Sequence, residues 1–180
     1  MGDTLHAAGT VRIDMAGPPE AELIADLSRR TFYDTFAPHN TPENMEQFME
    51  TQFTREYLIK QVGAPRNTFL LAWLGEQPVG YVRLYEGIEL PRGIAGTNSI
   101  EVARIYAEQR VIGKGIGTAL MGACIDLARG KGKQWIWLGV WEHNHRAIAF
   151  YEKMGFEIFD RHIFLLGQDV QYDWRMRRRL

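Results

Sequence analysis

From Ile105 to Leu120 the chain reads Ile-Tyr-Ala-Glu-Gln-Arg-Val-Ile-Gly-Lys-Gly-Ile-Gly-Thr-Ala-Leu, an apolar lead that breaks into three alternate glycines and then opens a helical pattern. Glycines at such spacing leave backbone N–H groups unobstructed, and the following helix adds its unpaired first-turn donors and the positive end of its dipole. A turn of this kind holds an anion, most often a phosphate. A Walker A loop is excluded, because Glu108 stands where its first glycine belongs and Gly115, not Ser or Thr, follows Gly113-Lys114. A dinucleotide fingerprint is disfavoured too. Its third glycine falls one residue early, at Gly117, and Gln134-Trp135-Ile136-Trp137 occupies the stretch that should hold the ribose-binding acid.

What remains is a pyrophosphate cradle of coenzyme A type, and a second segment supports it. Asn144-His145-Arg146-Ala147-Ile148-Ala149-Phe150-Tyr151-Glu152-Lys153-Met154-Gly155-Phe156 closely resembles the signature of the GNAT superfamily of acyl-CoA-dependent N-acyltransferases. The glycine turn resembles the acetyl-CoA-binding motif of the same superfamily, and the likeness runs from about Val11 to the C-terminus. Thr31-Phe32-Tyr33-Asp34-Thr35-Phe36, then Asn40-Thr41-Pro42-Glu43-Asn44-Met45, and Ile136-Trp137-Leu138-Gly139-Val140-Trp141-Glu142 are similar to the PaiA-type branch, whose members acetylate polyamines.

The resemblance implies a GNAT fold of α/β (α+β) class, a mixed but mostly antiparallel sheet of about seven strands flanked by helices. It implies transfer of an acetyl group from acetyl-CoA to a primary amine, such as spermidine or spermine, by direct attack in a ternary complex. The alternatives are a protein or peptide N-terminus or other small amine as acceptor, or a non-catalytic regulator that binds acyl-CoA. Cofactor contacts are then expected at Ile105, Tyr106, Ala107, Ile112, Gly113, Lys114, Gly115, Ile116, Gly117, Thr118, Asn144, Tyr151 and Lys153. Two departures stand out: most of the superfamily has Gln or Arg where this chain has Ile112, and PaiA-type proteins tend to carry a second acid where it has Ala103.

Thioester-to-amine transfer needs a neutral amine, a donor at the developing oxyanion and a proton for the departing thiolate. Tyr151 is the candidate acid, a phenol of pKa about 10 facing a thiolate of about 8.5, unless it is simply a core tyrosine. Glu101 is the candidate base or amine anchor, on a strand where it is expected to share a face with Ile105; otherwise it is a solvated edge carboxylate. The oxyanion donor is expected in the backbone near Tyr106, with Gly139 on the neighbouring strand permitting close approach. Lys114 and Arg110 either face phosphate or are plain surface cations. Asn144 either bonds the pantetheine amide or caps a helix. Substrate contacts are expected from Tyr33, Asp34, Phe36 and Glu101, with Phe32 and the 87–98 loop completing the pocket; Glu43 and Glu46 are available to a cation or are ordinary helix charge. His143 and His145 lack companions for a metal site, so no metal is expected.

The elements that must position these groups follow from periodicity. Val11 to Met15 reads as a strand and Ala21 to Phe36 as a helix stopped by Pro38. Thr41 and Pro42 start a helical region covering Met45–Phe53 and Arg55–Val62. Phe69–Leu74 and Val79–Tyr85 form a hairpin, and residues 87–98 a mobile loop. Ser99–Tyr106 leads to the glycine turn. The next helix presents Ile116, Leu120, Ala123, Cys124 and Leu127 on one face. Trp135–Trp141 is a strand, Ala147 to Met154 a helix ended by Gly155, and Phe156–Leu165 and Val170–Met176 are closing strands.

The chain has 180 residues, 46% hydrophobic and 24% charged, with a formal net charge of -1. That fits one domain over 11–180 behind a flexible 1–10 segment, without electrostatic bias toward nucleic acid or anionic membrane. The basic end Arg175-Met176-Arg177-Arg178-Arg179 lacks interleaved aromatics and reads as part of a core strand, given the alternation of Tyr172, Trp174 and Met176. The start of the chain does not read as a signal peptide. A single Cys124 fits a reducing cytoplasm, and the resemblance allows a homodimer through the last strands.

Overall fold

The computed structural model describes residues 10–180; residues 1–9, most of the expected flexible segment, lie outside the described residues. The elements run β1 (Val11–Ala16), α1 (Ala21–Phe36), α2 (Pro42–Thr51), α3 (Arg55–Gln61), β2 (Asn67–Leu74), β3 (Gln77–Tyr85), β4 (Ser99–Ala107), α4 (Ile116–Gly130), β5 (Trp135–Trp141), α5 (His145–Lys153), β6 (Glu157–Leu166) and β7 (Asp169–Arg179). Seven strands make one sheet in the order β1-β2-β3-β4-β5-β7-β6. All neighbours are antiparallel except β4 and β5. A seven-stranded, mostly antiparallel sheet with helices on both faces is the arrangement that the resemblance implied.

The local chemistry explains the helix starts. Thr41 and Thr54 cap α2 and α3 by accepting the amides of Asn44 and Tyr57, at 3.3 and 3.2 Å. Buried Ser28 and Thr31 in α1 donate back to the carbonyls of Ile24 and Leu27, which satisfies hydroxyls that would otherwise be stranded in the core. The helices cover the two sheet faces separately. On one face α4 and α5 close an apolar core with Leu84, Ile100, Ile136, Leu138 and Met176. On the other, α1, α2 and α3 pack an aromatic core around Phe32, Phe48 and Phe53.

Three expectations need correction. The buried stripe of α4 runs through Ile116, Leu120, Met121, Cys124, Ile125 and Ala128, turned further than the sequence suggested, so Ala123 and Leu127 are only partly covered. The last strand extends to Arg179, and its arginines are engaged: Arg175 pairs with Asp160 at 2.8 Å, Arg177 with Glu157 at 2.9 Å, and Arg178 donates to the Met154 carbonyl. Third, Glu101 does not share a face with Ile105. Arg83 pairs with Arg104 and Leu84 with Val102, so Ala103 is an extra residue on β4, a bulge that reverses the alternation. Ile105 joins the α4 side, while Glu101 and Arg104 lie on the side of α1–α3.

Candidate functional site

The parallel contact between β4 and β5 is short. Ser99, Ile100 and Glu101 pair with Trp135, Ile136 and Trp137, and beyond them the strands diverge. A parallel pair that parts leaves a wedge lined by two rows of main chain. In this molecule the wedge widens into a cavity of about 690 Å³, walled by Val102 to Ala107 on β4 and Gly139 to Trp141 on β5.

One end of the cavity is the glycine turn. Ala107 ends β4, a 3-10 turn follows over Gln109–Val111, and α4 begins at Ile116. Gly113 and Gly115 hold φ of 81° and 83°, the left-handed region that a side chain resists, and a Cβ at either would meet nothing within 4 Å. Conformation, not crowding, is therefore what these glycines supply. The amides of Ile112 and Lys114 are spent inside the turn on the carbonyls of Gln109 and Val111, at 3.2 and 3.1 Å. Among the described residues, the amides of Gly113 and of Gly115 through Thr118 bond no backbone carbonyl. Donors without acceptors at the start of a fifteen-residue helix make an anion seat.

Around this seat the expected contacts separate. Ile105, Tyr106, Ala107, Ile112, Gly113, Gly115, Gly117, Thr118, Asn144 and Tyr151 line the cavity. Ile116 is packed into the core, and the exposed Lys114 and Lys153 do not line the cavity. Arg110 is tied to Glu108 at 2.6 Å. Asn144 caps α5 by accepting the Ala147 amide at 3.2 Å and also lines the cavity. Arg146, exposed in the first turn of α5, borders the cavity with a cation that nothing in the local sequence pattern distinguishes from an ordinary surface arginine.

Tyr151 sits in the same space, buried beside Phe150 and Phe156. Burial, with the nearby Cys124 sulfur, pushes its phenol well above the ordinary range. Such a hydroxyl stays protonated and serves as a hydrogen-bond donor more readily than as a source of full proton transfer. Cys124 is buried and its thiol is pushed up to about 12, so it is no nucleophile at neutral pH.

The far end is aromatic. Phe32, Phe36, Phe48, Phe53 and Phe164 line it, with Phe32 stacked on Phe48 at 4.9 Å and Phe36 edge-on to Trp141 at 6.3 Å. Tyr33 is half exposed and does not line it, nor do Asp34, Glu43 and Glu46. The 87–98 loop is also outside, its Ile94 buried and its Gly93 against the Phe159 ring. Glu101 does not line the cavity. Burial raises its carboxyl against the opposing pull of Arg83, Arg175 and Arg104.

The carboxylate that does line the cavity is Asp173 of β7, opposite Trp141 of β5. Its Oδ2 would lie 3.5 Å from a Cβ on Gly139, so glycine at 139 leaves open the space beside it. Desolvation raises its carboxyl to about 6 despite Arg175, with Glu142 adding to the rise. The sequence held a signal for it: the alternation that turns Tyr172, Trp174 and Met176 one way turns Gln171, Asp173 and Arg175 the other. Among the described residues no group of three metal-ligating side chains occurs, and no helix is long and apolar enough to cross a membrane.

Comparison with known proteins now adds to this geometry. Residues 22–156 match the acetyltransferase (GNAT) family. An uncharacterized N-acetyltransferase from the pepI 3′ region of Lactobacillus delbrueckii subsp. lactis is 34% identical over 163 residues, 88% of this chain and 91% of that protein. One from Mycobacterium bovis is 29% identical over 161 residues, 89% and 98% of the two chains. The crystal structure of PaiA N-acetyltransferase from Thermoplasma acidophilum, in complex with coenzyme A, has a similar fold with a TM-score of 0.75, at 20% identity and covering 95% and 99% of the two chains.

Proposed function

The chain belongs to the acetyltransferase (GNAT) family and is an acyl-CoA-dependent N-acetyltransferase; from that premise we propose that it moves an acetyl group from acetyl-CoA to the primary amine of a small molecule, within the wedge between β4 and β5. The observation that carries the reading is that Gly113, Gly115, Gly117 and Thr118, whose amides bond no backbone carbonyl, line the same cavity as Tyr151. The amides would take the diphosphate of coenzyme A, and the pantetheine arm would run along the unpaired edges of β4 and β5. The thioester would then lie near Tyr151, with β4 amides near Tyr106 as oxyanion donors.

The amine attacks the thioester carbonyl carbon, forming a C–N bond and a tetrahedral oxyanion; collapse breaks the C–S bond and releases a thiolate that Tyr151 stabilises by hydrogen bonding. The nitrogen's extra proton finally reaches that sulfur, giving amide and free thiol. Glu101 is set back from the cavity, so only a bridging water could connect it to the amine. The PaiA-type likeness makes a polyamine one acceptor to set against monoamines, and the buried, unpaired Cys124 accords with work in the cytoplasm.

Thiol release from acetyl-CoA, measured with polyamines, arylalkylamines, amino acids and peptide N-termini, tests the proposal. Turnover with a small primary amine is the expected result. Micromolar coenzyme A binding without turnover of any amine would favour a regulator instead.

A further inference from the structure

Resting on the proposed acetyl transfer, we propose that Asp173 is the residue that holds the acceptor's ammonium and takes its proton, and that the acceptor is a single cation on an apolar or aromatic arm.

The placement argues for it first. Asp173 is the one carboxylate among the residues that line the cavity; the other charged linings are Arg104 and Arg146. Arg104 is held by Gln61 at 2.7 Å and lies over the Phe53 ring, so its guanidinium is fixed in the wall. Among the described residues the Asp173 carboxylate has neither a hydrogen-bond partner nor an ion pair. Its neighbour Arg175 is taken by Asp160 at 2.8 Å. An anion set in a half-dry cavity without a partner is costly to keep and gains most from a cation that arrives there.

The charged and titratable groups around it are consistent. Its own strand gives Arg175, β6 places His162 directly opposite, and Glu142 follows β5. From β4 comes Tyr106, which lines the same cavity as Asp173 and Tyr151. His39 and His143 flank the Trp141 ring that faces Asp173. Arg175, the cation whose charge acts on Asp173, is already paired with Asp160.

The proton balance is simple. The carboxylate takes one proton from R–NH3⁺, leaving a neutral amine whose lone pair attacks the thioester; the acid form then returns that proton to solvent. A carboxyl near 6 is ionised at neutral pH and still basic enough for this exchange. The arm follows from the wall beyond it, where Phe36, Phe48 and Phe164 are available to an apolar chain or a ring. A polyamine would bring further ammonium groups into a chamber with no second carboxylate for them.

The test compares Asp173→Asn and Asp173→Glu with the unaltered protein, using 2-phenylethylamine, hexylamine and spermidine. In the Asn variant, kcat/KM for 2-phenylethylamine should fall about 100-fold and the acid limb of its pH profile near pH 6 should vanish. The Glu variant should keep the limb. Coenzyme A affinity by calorimetry should be unchanged in both, which also reports that they fold. An Asn variant that keeps its rate and acid limb overturns the assignment, as does loss of that limb in Glu101→Gln alone. Spermidine preferred over 2-phenylethylamine overturns the single-cation reading. If the unaltered protein acetylates no amine, the proposed function fails. Even then, 2-phenylethylamine binding to the coenzyme A-loaded protein, lost in Asp173→Asn, would support the anchor.

Discussion

The loop from Gly113 to Thr118 offers a ligand bare main-chain amides, while the opposite end of the same cavity offers aromatic rings from α1, α2 and β6, with Gln171 and Asp173 from β7. The first is contiguous in sequence and nearly free of side chains. The second is assembled from elements more than a hundred residues apart. A backbone seat depends on dihedral angles, so it tolerates Ile112 where relatives of the superfamily carry a polar residue. A side-chain chamber depends on which residues the fold brings together, so it can change its ligand with a few substitutions.

That contrast can be broken or sharpened by experiment. The largest effect should come from the point where the two ends meet. Tyr151→Phe should lower kcat by about 100-fold while coenzyme A affinity, by calorimetry, stays within about twofold. A normal rate would remove the hydroxyl from the chemistry. Next, Gly115→Ala forces a side chain into φ of 83°, at a cost of about 1–2 kcal/mol, so coenzyme A should bind about tenfold more weakly with little change in kcat at saturation. At the other end, Phe36→Ala should raise KM for an arylalkylamine about tenfold and leave coenzyme A binding alone; the reverse pattern would erase the division between the ends.

Smaller effects probe groups that the chemistry does not need or that folding tolerates. Cys124→Ala should retain full kcat, because a buried thiol raised to about 12 contributes no thiolate, and should lose only about 1 kcal/mol of stability. Asp173→Asn should raise the melting temperature by a few degrees above pH 6. The sign follows from a carboxyl raised in the folded chain, to about 6, above its unfolded value: the ionised form costs stability at higher pH, and that cost fades as pH falls from 6 toward 4. The advantage of the Asn variant should fade over the same range, as scanning calorimetry at several pH values would show.

Much of this architecture was legible beforehand. The helix Ala21–Phe36 and the strand Trp135–Trp141 have the expected bounds, the first from its apolar rhythm stopped by Pro38 and the second from a short apolar run between polar residues. The turn at Gly113–Gly115 was legible because glycine most readily supplies the positive φ it needs. Glu101 was misjudged on its face for a reason that local pattern cannot reveal. A bulge at Ala103 reverses the alternation, and it is visible only as a mismatch between β3 and β4.

The sequence alone determined the seat, the helix carrying Tyr151 and the family, because each rests on residues close together whose types have few physical substitutes. The tertiary structure decided the aromatic end of the cavity: it set Tyr33, Asp34 and the 87–98 loop outside and brought Asp173 in. The physical reason is that backbone conformation is encoded locally, whereas the company a side chain keeps depends on strand order and register. β7 lies between β5 and β6, and that insertion turns an aspartate near the C-terminus toward the wedge beside β4.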